Sequence, residues 1–270
     1  MRNINENIIN NCKNTLILIE QLKSLESFLG DFNFLVFGRD NIVCKNYVFS
    51  LQTILISSQL TLGNIIECCK CFCLADAYTL LRKYRDDLFF CLYLVVYDSN
   101  VKLQKNAKTN KMETNIEQWC KNNLSNLNIS EVLSTIGMSD NLKESVYKFG
   151  LQKSFDEIGK HLNNYTHSNG YSFYNINASS LDENNIENQF KNIIYIAKYI
   201  TTTFLFLLVL CSPLYIMSTD YIDYLEFGQI PPKDSQYWVA PFIVEFFKNN
   251  IEMIDKNCYE YLKENTCMAL

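Results

Sequence analysis

Between Tyr47 and Tyr97 the chain contains no proline and a single glycine, Gly63. Apolar residues recur through this stretch at Leu74, Leu81, Leu88, Leu92 and Val95, spaced as one face of a helix requires. At about 1.5 Å of rise per residue, helix over this length crosses a whole domain, so the fold has to be built around it. The spacing predicts a long central helix, with Gly63 as the place for a break. The rest of the chain points the same way: 8 glycines and 4 prolines in 270 residues are too few for the turns of a sandwich or barrel. A hydrophobic share of 48% can fill a core of this size and argues against disorder. The expected architecture is all-α, one helical bundle domain over residues 1–270.

Flanking segments read as shorter helices. Ile8, Ile9, Cys12, Leu16, Ile19, Leu22 and Leu25 predict a first amphipathic helix over Glu6–Leu29, ending before Gly30. Asp31–Cys44, aromatic and β-branched, reads as a connector, either an extended loop or a short hairpin. Asp98–Thr114, with Lys102, Lys105, Lys108 and Lys111, reads as a solvated loop. Helices are expected over Ile116–Leu127 and over Ser130–Ile136, with Ser130 as N-cap. Further helices are expected over Asn141–Gly150, Leu151–Asn164, Ile186–Met217 and Tyr237–Lys263. The Pro- and aromatic-rich segment Pro231–Phe242, which holds Trp238, reads as a cap over one end of the bundle.

A net charge of -5 and a pI near 5.2 argue against bulk capture of nucleic acid but leave room for a small basic site. Eleven cysteines follow a polar, Asn-rich opening with no signal-peptide pattern, so reduced thiols and a cytoplasmic location are expected. The abundance of Asn, Ile, Lys and Tyr resembles the coding bias of an AT-rich bacterial genome. In the cluster Cys68, Cys69, Cys71 and Cys73, helical geometry puts Cys69 and Cys73 on one face and Cys71 on another, and no second Cys or His cluster completes a tetrahedral set. Small apolar packing is the reading, with no metal and no cofactor expected. Tyr199–Met217 is long enough to span a bilayer, but Lys198, three threonines, Pro213 and flanks without a basic cluster suit a buried bundle helix, so membrane association is not expected. The terminal Cys267-Met268-Ala269-Leu270 fits a prenylation pattern formally, without the polybasic neighbour that usually accompanies it, and reads as coincidence.

Two features carry chemistry. The only histidines, His161 and His167, lie together in GKHLNNYTHSNG, where Lys160 adds a cation and Asn163, Asn164 and Tyr165 add hydrogen-bonding groups. Histidine gives and takes protons near neutral pH. The plainer reading is that His167 ends a helix before Ser168-Asn169-Gly170, where a cationic side chain suits the dipole. The second feature is the charged belt Arg82, Lys83, Arg85, Asp86 and Asp87 within the central apolar run. Unpaired buried charge is costly, so the belt either faces solvent or lines a polar cleft. Arg82, Arg85 and Asp86 share one helical face.

Together these strings, Leu80-Leu81-Arg82-Lys83-Tyr84-Arg85-Asp86-Asp87-Leu88 and Asn163-Asn164-Tyr165-Thr166-His167, resemble HEPN-type helical proteins of bacterial toxin–antitoxin and phage-abortive systems. The resemblance covers roughly residues 56–210, leaving a C-terminal helical cap over about 218–266. It implies a metal-independent RNA endonuclease or toxin in antiviral or stress defence. His167 and His161 would move protons, Lys160 or Arg82 would stabilise the charge on phosphorus, and Asn163, Asn164, Arg85, Asp86 and Tyr165 would hold the substrate. It also implies a homodimer with two motifs facing one cleft, RNA as the ligand, and an antitoxin or sensor protein as partner. Lys160 stands where active HEPN ribonucleases carry arginine, and lysine lacks the bidentate fork that matches a phosphate. That departure carries the alternative, a catalytically silent helical module that binds RNA, a nucleotide or a protein.

Overall fold

The computed structural model describes residues 13–39, 41–103, 107–121, 123, 128–178, 183–232, 238–266, 268 and 270. Helix α1 spans Lys13–Val36 and runs straight through Gly30 rather than ending before it. The reason is packing: a Cβ on Gly30 would lie 3.0 Å from the Gln59 amide nitrogen, so glycine here lets two helices approach. A short antiparallel hairpin follows, Asn41–Cys44 (β1) and Tyr47–Ser50 (β2), with Lys45 in the left-handed region at its turn. Residues 31–36 of the expected connector are therefore helix, and Asn41–Cys44 is the first strand.

The expected central helix is two antiparallel helices, α2 (Leu51–Lys70) and α3 (Leu74–Leu103). The break falls at Cys71–Cys73 and not at Gly63, which lies inside α2, where a Cβ would meet the Glu26 carboxylate at 2.8 Å. Phe72 makes the turn with φ +57°, a conformation unfavourable for an aromatic residue. Its ring is buried and stacks on Phe190 at 6.2 Å, and that burial offsets the local cost. The cysteine cluster thus forms an inter-helix turn. Burial pushes the Cys68 thiol up to about 11 and raises Cys69 and Cys73 as well, which keeps all three as thiols.

Helix α3 extends to Leu103 and α4 covers Ala107–Cys120, so most of the expected Lys-rich loop is helical. Helix α5 (Ile129–Gly137) is capped by Asn128, whose side chain accepts from the Glu131 amide at 3.0 Å; Ser130 is not the cap. Helices α6 (Lys143–Lys148) and α7 (Leu151–Thr166) follow as expected, and a further short helix, α8, spans Tyr171–Ala178. Helix α9 (Glu183–Cys211) stops at Ser212–Pro213, where a 3-10 turn begins. Short helices α10 (Thr219–Glu226), α11 (Pro241–Asn250) and α12 (Cys258–Asn265) complete the chain.

One hydrophobic core runs from Leu18 to Met268, and α3 and α9 are its axis. Helix α9 is long and apolar enough to cross a membrane, but 83% of its apolar window is buried against the other helices. Thr201, Thr202 and Thr203 are fully buried; Thr201 and Thr202 return their hydroxyls to the backbone carbonyls of Ala197 and Lys198, and Thr201 also meets the Tyr84 hydroxyl at 2.6 Å. Aromatic pairs fasten the C-terminal helices: Phe28 stacks on Phe246 at 4.0 Å, and Phe149 meets Phe206 and Tyr261 edge-on. Trp238 is 39% exposed, but Val239, which bridges Met217, and Ala240 are buried in the core and Phe242 meets Phe28 edge-on at 5.7 Å, so the end of the expected cap packs on the bundle; residues 233–237, and Cys267 and Ala269 of the terminal motif, lie outside the described residues.

Candidate functional site

Tyr78, Arg82, Arg85 and Phe89 recur on α3 at four-, three- and four-residue steps and form the face that meets α7. The two helices run antiparallel, so Phe89 packs edge-on against Phe155 near the start of α7, at 4.7 Å. One turn on, Arg85 is 2% exposed and lies against Gly159; a Cβ there would sit 2.9 Å from Arg85 Nη1. The glycine makes room for a buried guanidinium. At the far end Tyr78 stacks on Tyr165 at 4.2 Å.

Arg85 is held by Asp86, with Nη2 at 2.6 Å and Nε at 2.8 Å from Oδ1. Arg82 Nε approaches the other carboxylate oxygen of Asp86 at 3.9 Å. Burial raises the Asp86 pKa, while both arginines pull it down. Arg82 is only partly buried, and its Nη1 lies 3.3 Å from His167 Nε2. A guanidinium can only donate, so a hydrogen bond in this contact requires Nε2 of His167 as the acceptor. His167 is presented by the end of α7: its amide bonds to Asn163 O at 3.0 Å, and Ser168 turns the chain with φ +51°.

The structure thus brings two predicted residues together, Arg82 and His167, which are 85 positions apart. The other predicted residues divide. Lys160 is exposed on α7, two turns or about 10 Å before His167, and does not join the pair. His161 turns into an aromatic cluster instead, edge-on to Tyr78 and Tyr165, with Asn192 Nδ2 3.4 Å from its Nε2. Burial lowers its pKa, so it is neutral at physiological pH and is held as a packing residue. Arg85, expected on the substrate, stands behind the site as a support. Asn164 shares a side-chain bond with Asn169 at 3.4 Å, and the Asn163 Oδ1 is buried with no hydrogen-bond partner among the described residues. The rest of the belt faces the other way: Lys83 and Asp87 pair with each other and with Ser57 on α2.

Three residues of this neighbourhood were not anticipated. Tyr78 lies one helical turn before Arg82, and that spacing is a usable signal. Gln189 and Asn192 of α9 bond the Tyr78 hydroxyl at 2.7 and 2.8 Å, and nothing local in their sequence marks them. Among the described residues no group of three His, Cys, Asp or Glu side chains is placed to hold a metal ion. No protein-family model, no curated protein and no solved structure matches the chain.

Proposed function

We propose that the chain is a HEPN-like, metal-independent RNA endonuclease of bacterial antiphage or stress defence, with Arg82 and His167 as its catalytic pair. The observation that supports this reading is the 3.3 Å approach of an accessible guanidinium to an exposed imidazole, from two different helices. An RNA phosphate entering between them takes the guanidinium as its counter-charge and frees His167 Nε2. His167 then removes the proton of the 2′-hydroxyl, the 2′-oxygen attacks phosphorus as the bond to the 5′-oxygen breaks, and the 5′-oxygen takes a proton from water, leaving a 2′,3′-cyclic phosphate and a 5′-hydroxyl; the imidazolium returns its proton to the solvent. Arg82 stabilises the charge that builds on the phosphoryl oxygens. A homodimer with two such pairs facing one cleft, and control by an antitoxin or sensor protein, belong to the same proposal.

The test is cleavage of total bacterial RNA by purified protein in EDTA, with end-group analysis of the fragments. Arg82→Ala should cost about 10²- to 10³-fold and His167→Ala about 10²- to 10⁴-fold in rate, with folding followed by circular dichroism. Fragments made equally well by both variants overturn the assignment of the pair. RNA binding without cleavage by the wild type establishes the alternative, a silent binding module, which the lysine at position 160 favours.

A further inference from the structure

Helix α10 buries Ile222, while Asp220, Asp223, Tyr224 and Phe227 recur at three- and four-residue steps along another face. That face lines an open cleft of about 540 Å³. Gly228, with φ +63°, ends the helix: its amide bonds to Leu225 O and the Gln229 amide to Tyr224 O at 2.8 Å, so that Gln229 joins the lining. Trp238 completes it, held beside the start of α10 because its carbonyl accepts from the Ser218 amide at 3.0 Å. Backbone hydrogen bonds thus fix both contributing segments. Three aromatic side chains line the space, with Phe227 77% and Trp238 39% exposed. A volume between about 300 and 1,000 Å³ is that of a small-molecule site.

Charge and wall chemistry narrow the ligand. Among the described residues no lysine, arginine or histidine lines the cleft, and neither Asp220 nor Asp223 forms an ion pair. Arg39 senses Asp223 and Glu226, but its guanidinium is committed to the carbonyls of Leu214 and Met217 at 3.3 and 3.1 Å and to Thr219 Oγ1 at 3.4 Å. A carboxylate at Asp220 suits the first turn of α10, where it favours the helix dipole; Asp223 lies past that turn and has no such role. The cleft therefore repels phosphates and carboxylates and attracts a cation. Its aromatic walls decide which kind, because ring faces attract an ammonium group and pack against methylenes, whereas a hydrated metal ion gains little from them. The two carboxylates stand one helical turn apart, with Cβ atoms about 5–6 Å from each other, a spacing that two ammonium groups on one short alkyl chain can match. Tyr224 follows Asp220, and Phe227 follows Asp223, by four residues, which puts a ring beside each charge. We propose that this cleft binds an aliphatic polyamine, with ammonium groups on Asp220 and Asp223 and methylenes against Tyr224, Phe227 and Trp238. The site shares no residue with the Arg82–His167 pair and stands independently of the nuclease reading.

Isothermal titration of the full chain with spermidine, putrescine and N-acetyl-lysine amide tests this. Spermidine and putrescine should bind, and the lysine amide, with one ammonium group, at least about tenfold more weakly. At equal ionic strength, magnesium chloride should weaken spermidine binding no more than sodium chloride does. Asp223→Asn should lower spermidine affinity about tenfold, the worth of one charge-assisted hydrogen bond, and Trp238→Leu about three- to tenfold. Both side chains are exposed, so both variants should keep the wild-type melting temperature. Glu264→Gln, the same change of charge at an exposed position off the cleft, should leave affinity unchanged. The lysine amide binding as tightly as putrescine assigns the cleft to a protein side chain and overturns the proposal. So do magnesium displacing spermidine beyond the effect of sodium, full affinity in Asp223→Asn or Trp238→Leu, an equal loss in Glu264→Gln, or no binding of spermidine at millimolar concentration.

Discussion

Replacing Arg85 by methionine separates charge from packing at the centre of the α3–α7 contact. The variant keeps the apolar volume that fills the space beside Gly159 and removes only the guanidinium held by Asp86. Removing one partner of a fully buried pair costs about 3–5 kcal/mol, because the other charge is left without compensation. Asp86 is 33% exposed and retains Arg82 at 3.9 Å, so the penalty here should be smaller, about 2 kcal/mol at neutral pH. For a chain of this size that is a fall in melting temperature of roughly 4–8 °C. The sign with pH is a sharper test. Burial already raises the Asp86 pKa and Arg85 is the largest influence opposing it, so the variant raises that pKa further. Below the folded-state pKa the carboxyl is neutral and the missing arginine matters little; above it an ionised carboxylate is stranded. The gap in melting temperature between wild type and Arg85→Met should therefore widen as pH rises from the folded-state pKa of Asp86 in the wild type to its higher value in the variant. A gap that stays constant refutes the electrostatic account and leaves packing alone.

Two further outcomes follow from the same contact. His161 has a depressed pKa, so between that value and about 6.5 the unfolded chain binds a proton that the folded one refuses, and stability is lost as pH falls through this window. His161→Phe keeps a ring between Tyr78 and Tyr165, and its melting temperature should fall less steeply from pH 7.5 to pH 5 than that of the wild type; equal slopes in the two thermal scans would refute this. Gly159→Ala would gain about 1 kcal/mol on an open helix, but here the new methyl meets Arg85 Nη1 at 2.9 Å, and that atom belongs to a guanidinium pinned at two points by Asp86. It should destabilise, as read by chemical denaturation, and a stabilised variant would mean that Arg85 moves aside freely.

What the sequence makes legible is the helical period, and what it hides is tertiary compensation. The all-α class and α7 follow from spacing alone, whereas the single closing helix expected over Tyr237–Lys263 is broken into α11, a 3-10 turn and α12. The failures occur where a distant partner decides. Gly30 and Gly63 look like helix breakers, yet both are sites of close approach, to Gln59 and Glu26. The real break, at Phe72, carries no turn residue; it is held by a ring that stacks on Phe190, far along the chain. The lysines after Asp98 look like a loop because Lys108 and Lys111 find their partners, Asp140 and Glu131, on later segments of the chain. At the site, the i, i+3 and i+4 spacing of Arg82, Arg85 and Asp86 correctly places them on one face, but not which arginine is buried. Nor does spacing distinguish two histidines six positions apart: they diverge because His161 lies within α7, facing α3 and α9, and His167 lies just past its end.

That divergence also explains why the pair is accessible at all. Helix α3 is buried along most of its length, and a guanidinium inside it would be satisfied by the nearest carboxylate, as Arg85 is. Arg82 escapes this because Asp86 is already occupied by Arg85 at 2.6 Å and offers Arg82 only a distant second contact. The buried pair therefore leaves the outer arginine with most of its hydrogen-bonding capacity free, and the end of α7 sets His167 against it. A neutral imidazole is a weak partner for a guanidinium compared with an anion, so the arrangement favours exchange of that contact for a phosphate oxygen. On the proposed nuclease reading Arg85 is a positioning residue, and Asp86→Asn, which loosens Arg85 and frees Arg82 further, should shift the KM for RNA cleavage before it changes kcat.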